Sequence, residues 1–231
     1  MGYIGTKPSA VPLTSADITD GIITSAKIAD GTIVNADINA SAGIVSTKLS
    51  GVTSDYVLLA TTTASTSASV SFDGYFSSTY KNYFFIYSGV RGDVDAYLRI
   101  RYRKSNADVT ASNYNYINAS GRYVDSAGAD SAINWYEWGG AHFLPCGSGQ
   151  QSDVNSEITN NGYFTLFDPL STNAYKIIYG FSQFTNAVGT MIVGGSYTGF
   201  HGANADALSG VTFSLNTGNI AIGTFKLYGI K

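Results

Sequence analysis

The sequence predicts an all-β protein: a short N-terminal repeat stalk followed by an antiparallel β-sandwich head of jelly-roll type. Three observations carry this expectation: the composition, the uneven placement of the aromatic residues, and an isoleucine repeat confined to the start of the chain. The 231 residues include 26 glycines, 17 tyrosines and 12 phenylalanines, and only 13% are charged. Among 16 acidic residues only Glu137 and Glu157 are glutamates. The others are aspartates, which favour turns and strand ends over helix interiors. Aromatic and β-branched residues suit strands, and glycine with small polar residues suits tight turns. The length is ample for a hydrophobic core without disulfides or metals.

The aromatic residues divide the chain. Only Tyr3 precedes Gly51, and the rest fall between Tyr56 and Tyr228. The aromatic-poor part repeats: ADITDGIITS, AKIADGTIVN, ADINASAGIV, then STKLSG. Leu13, Ile18, Ile23, Ile28, Ile33 and Ile38 stand five residues apart, and Ile44 and Leu49 resume the spacing after a one-residue slip. A period of five matches neither a helix nor a simple strand. It fits a chain that turns every few residues and points one isoleucine inward each time. Two architectures meet that demand, a pentapeptide solenoid or a thin fibre in which several chains share an isoleucine-lined axis. About eight pentads make only about two solenoid coils, which is thin for a stack that needs neighbours. With no aromatic residue to build a private core, the interchain arrangement is preferred. A flexible linker fits poorly, because linkers are poor in β-branched apolar residues.

The remainder reads as about ten short strands separated by turns. Candidate strands cover 56–62, 68–72, 82–90, 96–104, 134–138, 163–167, 174–184, 190–196, 211–215 and 223–230. Turn sequences are read at 73–74, 118–121, 160–162 and 216–218. This pattern, with no long helical periodicity, predicts a β-sandwich. The run from Tyr83 to Tyr87 is apolar on both faces, so the face turned from the core is expected to be covered by a loop or a neighbouring subunit. The organisation expected is an anchoring segment at 1–12, a stalk at 13–51 and a head at 52–231.

Several stretches resemble a known family. Tyr3-Ile4-Gly5, then Pro8 and the SADITDGIITSAKIADGTIVNADI repeats are similar to the start of tail-fibre and related virion proteins of tailed, especially marine, bacteriophages. The residues 60–72 before an aromatic strand, the segment 214–221 and the closing 223–230 resemble the same class. The resemblance implies an N-terminal segment that docks on other virion proteins, a homotrimeric stalk and a β-rich distal head. It also implies localisation in the virion, after assembly in the cytoplasm of the bacterial host.

Charge and motifs narrow the chemistry. A net charge of −3 and a pI near 5.2 offer no bulk attraction to nucleic acid or acidic membranes. No apolar run is long enough to span a bilayer, so membrane insertion is not expected, and Met1 to Ala10 lacks the pattern of a secretion signal. A single cysteine, Cys146, rules out an intramolecular disulfide framework. The two histidines, His142 and His201, form no metal-ligand motif, and neither a nucleophile elbow nor a phosphate loop occurs. Cys146 with His142 lacks an orienting partner, and an interior thiol is the better reading. Glycan cleavage needs two facing carboxyl groups; Glu137, Glu157, Asp93, Asp95 and Asp153 are available but form no recognisable pair. No cofactor or metal is expected, and the chain is not read as an enzyme.

Binding features are more informative. Arg99, Arg101 and Arg103 alternate along one strand and share a face with Tyr97, either as a solvated or salt-bridged face or as a cationic strip for acidic groups on a cell-surface glycan. Trp135 and Glu137 share one face of a strand, while Tyr136 and Trp138 share the other. Flat aromatic surfaces beside a carboxylate suit sugar rings, although large aromatics more often fill a core or a trimer axis. Arg91-Gly92-Asp93 spells an adhesion tripeptide with no bearing on a bacterial host. The reading reached is a trimeric tail fibre or spike that recognises the host surface. The alternatives are a capsid decoration protein or, less favoured, a small glycan depolymerase.

Overall fold

A computed structural model describes residues 14–45, 48, 54–124, 131–145, 159–185, 191–202 and 205–231. The chain divides into two compact units, Met1–Thr53 and Ser54–Lys231, two residues beyond the boundary expected from the aromatics. The anchoring segment 1–12, Leu13, Leu49, Cys146, Asp153 and Glu157 lie outside the described residues.

The first unit turns once per pentad. Backbone N–H groups of Asp17, Ile22, Lys27, Thr32, Asp37 and Ala42 donate to the carbonyls of Thr14, Thr19, Thr24, Ala29, Val34 and Asn39, at 2.8 to 3.1 Å. Two kinds of turn alternate. One is a short 3-10 turn, at Ser15–Asp17, Ser25–Lys27 and Asn35–Asp37. The Asp17 carboxylate accepts from the Thr14 amide and hydroxyl, and Asp37 accepts from the Val34 amide, each a local cap that sets the turn. The other is a tight turn with glycine in the left-handed region, Gly21 at φ 78° and Gly31 at φ 77°. At the one-residue slip Ser41 stands where Gly21 and Gly31 stand in the earlier repeats, and the Asn39 side chain accepts from its amide at 2.7 Å. Between Thr14 and Val45 every described side chain is exposed, and the spaced isoleucines Ile18 to Ile44 are 38 to 56% accessible. This unit gives its isoleucines no core of their own.

The second unit is an antiparallel β-structure. Its described strands are β1 (Tyr56–Ser67), β2 (Ser69–Asp73), β3 (Asn82–Gly92), β4 (Leu98–Lys104), β5 (Ala107–Asp108) and β6 (Tyr114–Val124). They continue with β7 (Ser131–Gly140), β8 (Asn160–Phe167), β9 (Ile177–Thr185), β10 (Met191–His201), β11 (Gly210–Leu215) and β12 (Ile220–Ile230). An eight-stranded sheet runs β1-β12-β3-β8-β9-β10-β6-β7, and a four-stranded sheet runs β2-β11-β4-β5. The sheets face each other across an aromatic core. Phe213 on β11 lies 4.9 Å from Phe225 on β12, 6.2 Å from Phe85 on β3 and 6.0 Å from Phe164 on β8, ring centre to ring centre. Alternation is clear on β3, where Tyr83, Phe85 and Tyr87 are fully buried and Phe84 and Ile86 look the other way, half-buried.

Ten predicted strands correspond to observed ones, most of them longer than expected. Two expected turns instead belong to strands. Residues 118–121 lie within β6, where Asn118 is buried and its side-chain amide donates to the Pro145 carbonyl at 2.7 Å. Residues 160–162 open β8, where the Asn160 side chain accepts from the Ser182 hydroxyl. Gly162 stands there because a Cβ would meet the Tyr87 hydroxyl at 2.3 Å and the Phe181 carbonyl at 2.5 Å. Partners distant in sequence satisfy the amides that a short window reads as turn formers. The expected turns at 73–74 and 216–218 hold, with Gly74 and Gly218 at positive φ.

Candidate functional site

Strand β4 pairs with β11 along its length and places Leu98, Ile100 and Tyr102 in the core, so its arginines face outward on the small sheet. The three arginines are not equivalent. Arg103 Nε lies 2.7 Å from Asp73 on β2, and its Nη1 lies 2.7 Å from Asp108 on β5 and 3.0 Å from the Thr212 hydroxyl. Burial works against the charge of Asp73, but Arg103 and Ser209 outweigh it and hold the carboxyl below its ordinary range. Arg103 is therefore a structural cross-link between three strands and leaves the expected cationic strip.

Arg99 and Arg101 pair with no carboxylate among the described residues. Arg101 Nε donates to the Ala141 carbonyl at 3.0 Å, and Arg99 donates to the Leu215 carbonyl. An isolated antiparallel bridge joins Ile100 to Phe143 and sets His142 opposite Arg101 on the same outward face. Tyr97 stacks on the His142 ring at 6.4 Å. Burial, then the charges of Arg99 and Arg101, push His142 down to about 4, so it is neutral at physiological pH. Burial and the neighbouring Arg101 likewise hold Arg99 below its usual value. Two guanidinium groups on one face, with no carboxylate between them, can take a phosphate or carboxylate group.

The second candidate region sits at the far edge of the large sheet. Tyr136 and Trp138 on β7 are 81% and 83% exposed, as their shared strand face predicts. Glu137 points the other way and accepts from the Tyr116 hydroxyl at 2.6 Å. Trp135 pairs through its backbone with Asn118, and its side chain lies outside the described residues. The exposed pair borders a groove of about 420 Å³ whose other walls are Ile117 on β6, Ile177 on β9 and Phe200 on β10. Phe200 meets Trp138 edge-on at 6.5 Å. The alternation of β6 was present in the sequence, but reading its asparagines as a turn hid Ile117. Phe200 fell beyond the expected end of its strand.

The structure does not bring the two regions together, because one lies on the outer face of each sheet. Among the described acidic candidates, Asp93 and Glu137 are each engaged by a different neighbour. Asp93 accepts from the backbone and side chain of Asn219, and Glu137 is held by Tyr116. Among the described residues no cluster of histidine, cysteine and carboxylate side chains could hold a metal ion, and no helix is long and apolar enough to cross a membrane. No family model, curated protein or solved structure matches the chain.

Proposed function

We propose that the chain is a virion structural protein of a tailed bacteriophage, one subunit of a short homotrimeric fibre or spike. Its N-terminus docks on other virion proteins, and its head recognises a glycan on the host surface. The observation that carries this reading is the first unit: a regular turn every five residues with every spaced isoleucine from Ile18 to Ile44 exposed. Such a row gains stability only when other chains cover it. In the head, successive strands pass from one sheet to the other at β1–β2, β2–β3, β3–β4, β5–β6, β10–β11 and β11–β12, which supports the jelly-roll reading.

Recognition falls to two features. The Tyr136 and Trp138 groove offers apolar surface for the carbon-bound faces of sugar rings, and Arg99 with Arg101 offers charge for acidic substituents. Light scattering on the intact chain is expected to give about three times 24.4 kDa. Binding to purified host surface polysaccharide is expected to fall at least tenfold in Trp138→Ala. For an acidic glycan it is also expected to weaken with added salt and in Arg99→Ala/Arg101→Ala. A monomeric chain would remove the stalk reading. Unchanged binding in both variants would remove these two features as the receptor site, and imaging the protein at icosahedral capsid positions would favour a decoration role.

A further inference from the structure

The outer face of the large sheet carries an apolar field that extends from β1 to β9 and adjoins the Trp138 groove at Ile177. The strand register sets Leu58, Tyr228, Phe84, Thr165 and Tyr179 opposite one another in a single rank from β1 to β9. Beside it Ile86, Tyr163 and Phe181 form a second rank. Rings also meet between ranks, Phe84 touching Tyr163 at 5.5 Å and Tyr56 of the next rank at 5.6 Å, and within one, where Tyr163 stacks on Phe181 at 6.3 Å. Tyr56, Leu58, Tyr163, Phe167, Tyr179 and Phe181 nevertheless remain 37 to 56% exposed, and Phe84, Ile86 and Tyr228 are half-buried.

The size of the field decides its meaning. A wholly exposed aromatic side chain offers ~150–250 Å², so these partial exposures amount to roughly 700 Å². That exceeds the roughly 300–600 Å² of the largest apolar patch on an ordinary monomer and approaches the ~800 Å² per partner of a standard interface. Its chemistry selects the occupant. Lys226 is the only charged side chain in these ranks, and the threonine hydroxyls are sparse. An acidic polymer would find too little positive charge. A second copy of the same face brings matching apolar surface, with a single lysine per copy as the charge in these ranks. A shallow depression of about 280 Å³ between Tyr56, Phe84, Ile86 and Tyr228 can receive a partner's side chain.

We infer that this field, on β1, β12, β3, β8 and β9, is the surface by which the heads of neighbouring copies of this chain pack on one another. The inference rests on the trimer reading for the supply of neighbouring copies, but it adds a second interface independent of the isoleucine stalk. Tyr136 and Trp138 lie on β7, three strands beyond β9, and the groove they border adjoins the field at Ile177.

Three forms of the intact chain test it by light scattering, with circular dichroism to confirm that each is folded: wild type, a stalk variant Ile18→Ser/Ile28→Ser/Ile38→Ser, and that variant with Tyr163→Lys/Tyr179→Lys added. The stalk variant is expected to stay associated in a concentration-dependent way, and the combined variant to fall to one third of the wild-type mass. A stalk variant that is already monomeric, or a combined variant that stays trimeric, overturns the head interface. A monomeric wild type overturns both it and the stalk. Hydroxyl-radical labelling of wild type gives a second readout needing no variant. Tyr163 and Tyr179 are expected to label at least fivefold more slowly than Tyr136, and equal rates overturn the proposal.

Discussion

Arg101 and Arg103 stand two residues apart on one strand face, and the sequence offers no reason to separate them. Their neighbours on other strands do. Arg103 joins Asp73 and Asp108 from either side, while Arg101 donates to one backbone carbonyl. Arg103→Ala leaves two carboxylates facing each other without their cation and is expected to cost about 1–3 kcal/mol. Arg101→Ala is expected to stay within about 0.5 kcal/mol, because it gives up one hydrogen bond and relieves repulsion with Arg99. Thermal unfolding of the two variants side by side checks this, and equal losses would contradict the roles assigned to them. A second residue-scale expectation concerns acid. His142 is held down to about 4 in the fold and regains its ordinary 6.5 on unfolding, so the unfolded chain binds the proton first. Its contribution to stability is therefore whole above about pH 6.5 and is lost as the pH falls towards 4. Buried His201, also shifted down by burial, acts in the same direction. Denaturant titrations at pH 7 and pH 4.5 are expected to show a smaller acid loss in His142→Asn than in wild type. An identical loss would mean that His142 does not supply this sensitivity.

Among the elements, the repeat was the most legible and its geometry the least. The five-residue spacing announced one turn per pentad, and six backbone hydrogen bonds spaced five residues apart bear that out. What spacing could not show is that two turn types alternate, so that the structural repeat is ten residues long. Gly21 and Gly31 are left-handed, with nothing within 4 Å of a Cβ, so alanine there meets only backbone strain of about 1–2 kcal/mol per site. Gly43 is equally open but not left-handed. Melting of the assembled protein is expected to drop in Gly21→Ala/Gly31→Ala and to hold in Gly43→Ala; parallel losses would argue against the left-handed turns. In the head, strand positions were legible wherever apolar residues alternate. Strand β6 was missed because Asn118 and its neighbours favour turns locally, whereas in the fold the buried Asn118 amide donates to the distant Pro145 carbonyl.

For the whole molecule, composition already separated a unit that cannot build a core from one that can. The aromatics after residue 54 supply the interior around Phe213, and the isoleucines before it remain on the surface. The double-sided apolar run on β3 buries Tyr83, Phe85 and Tyr87 and leaves Phe84 and Ile86 half-buried on the outer face. Class and boundary were thus determined by sequence, because they follow from the amounts and spacing of apolar residues along the chain. Which arginine is neutralised, which way Glu137 and Trp138 point, and how side chains from five strands merge into one apolar field were decided only by tertiary structure. Those outcomes depend on strand order and register, which join residues more than a hundred positions apart, and no local pattern carries that information.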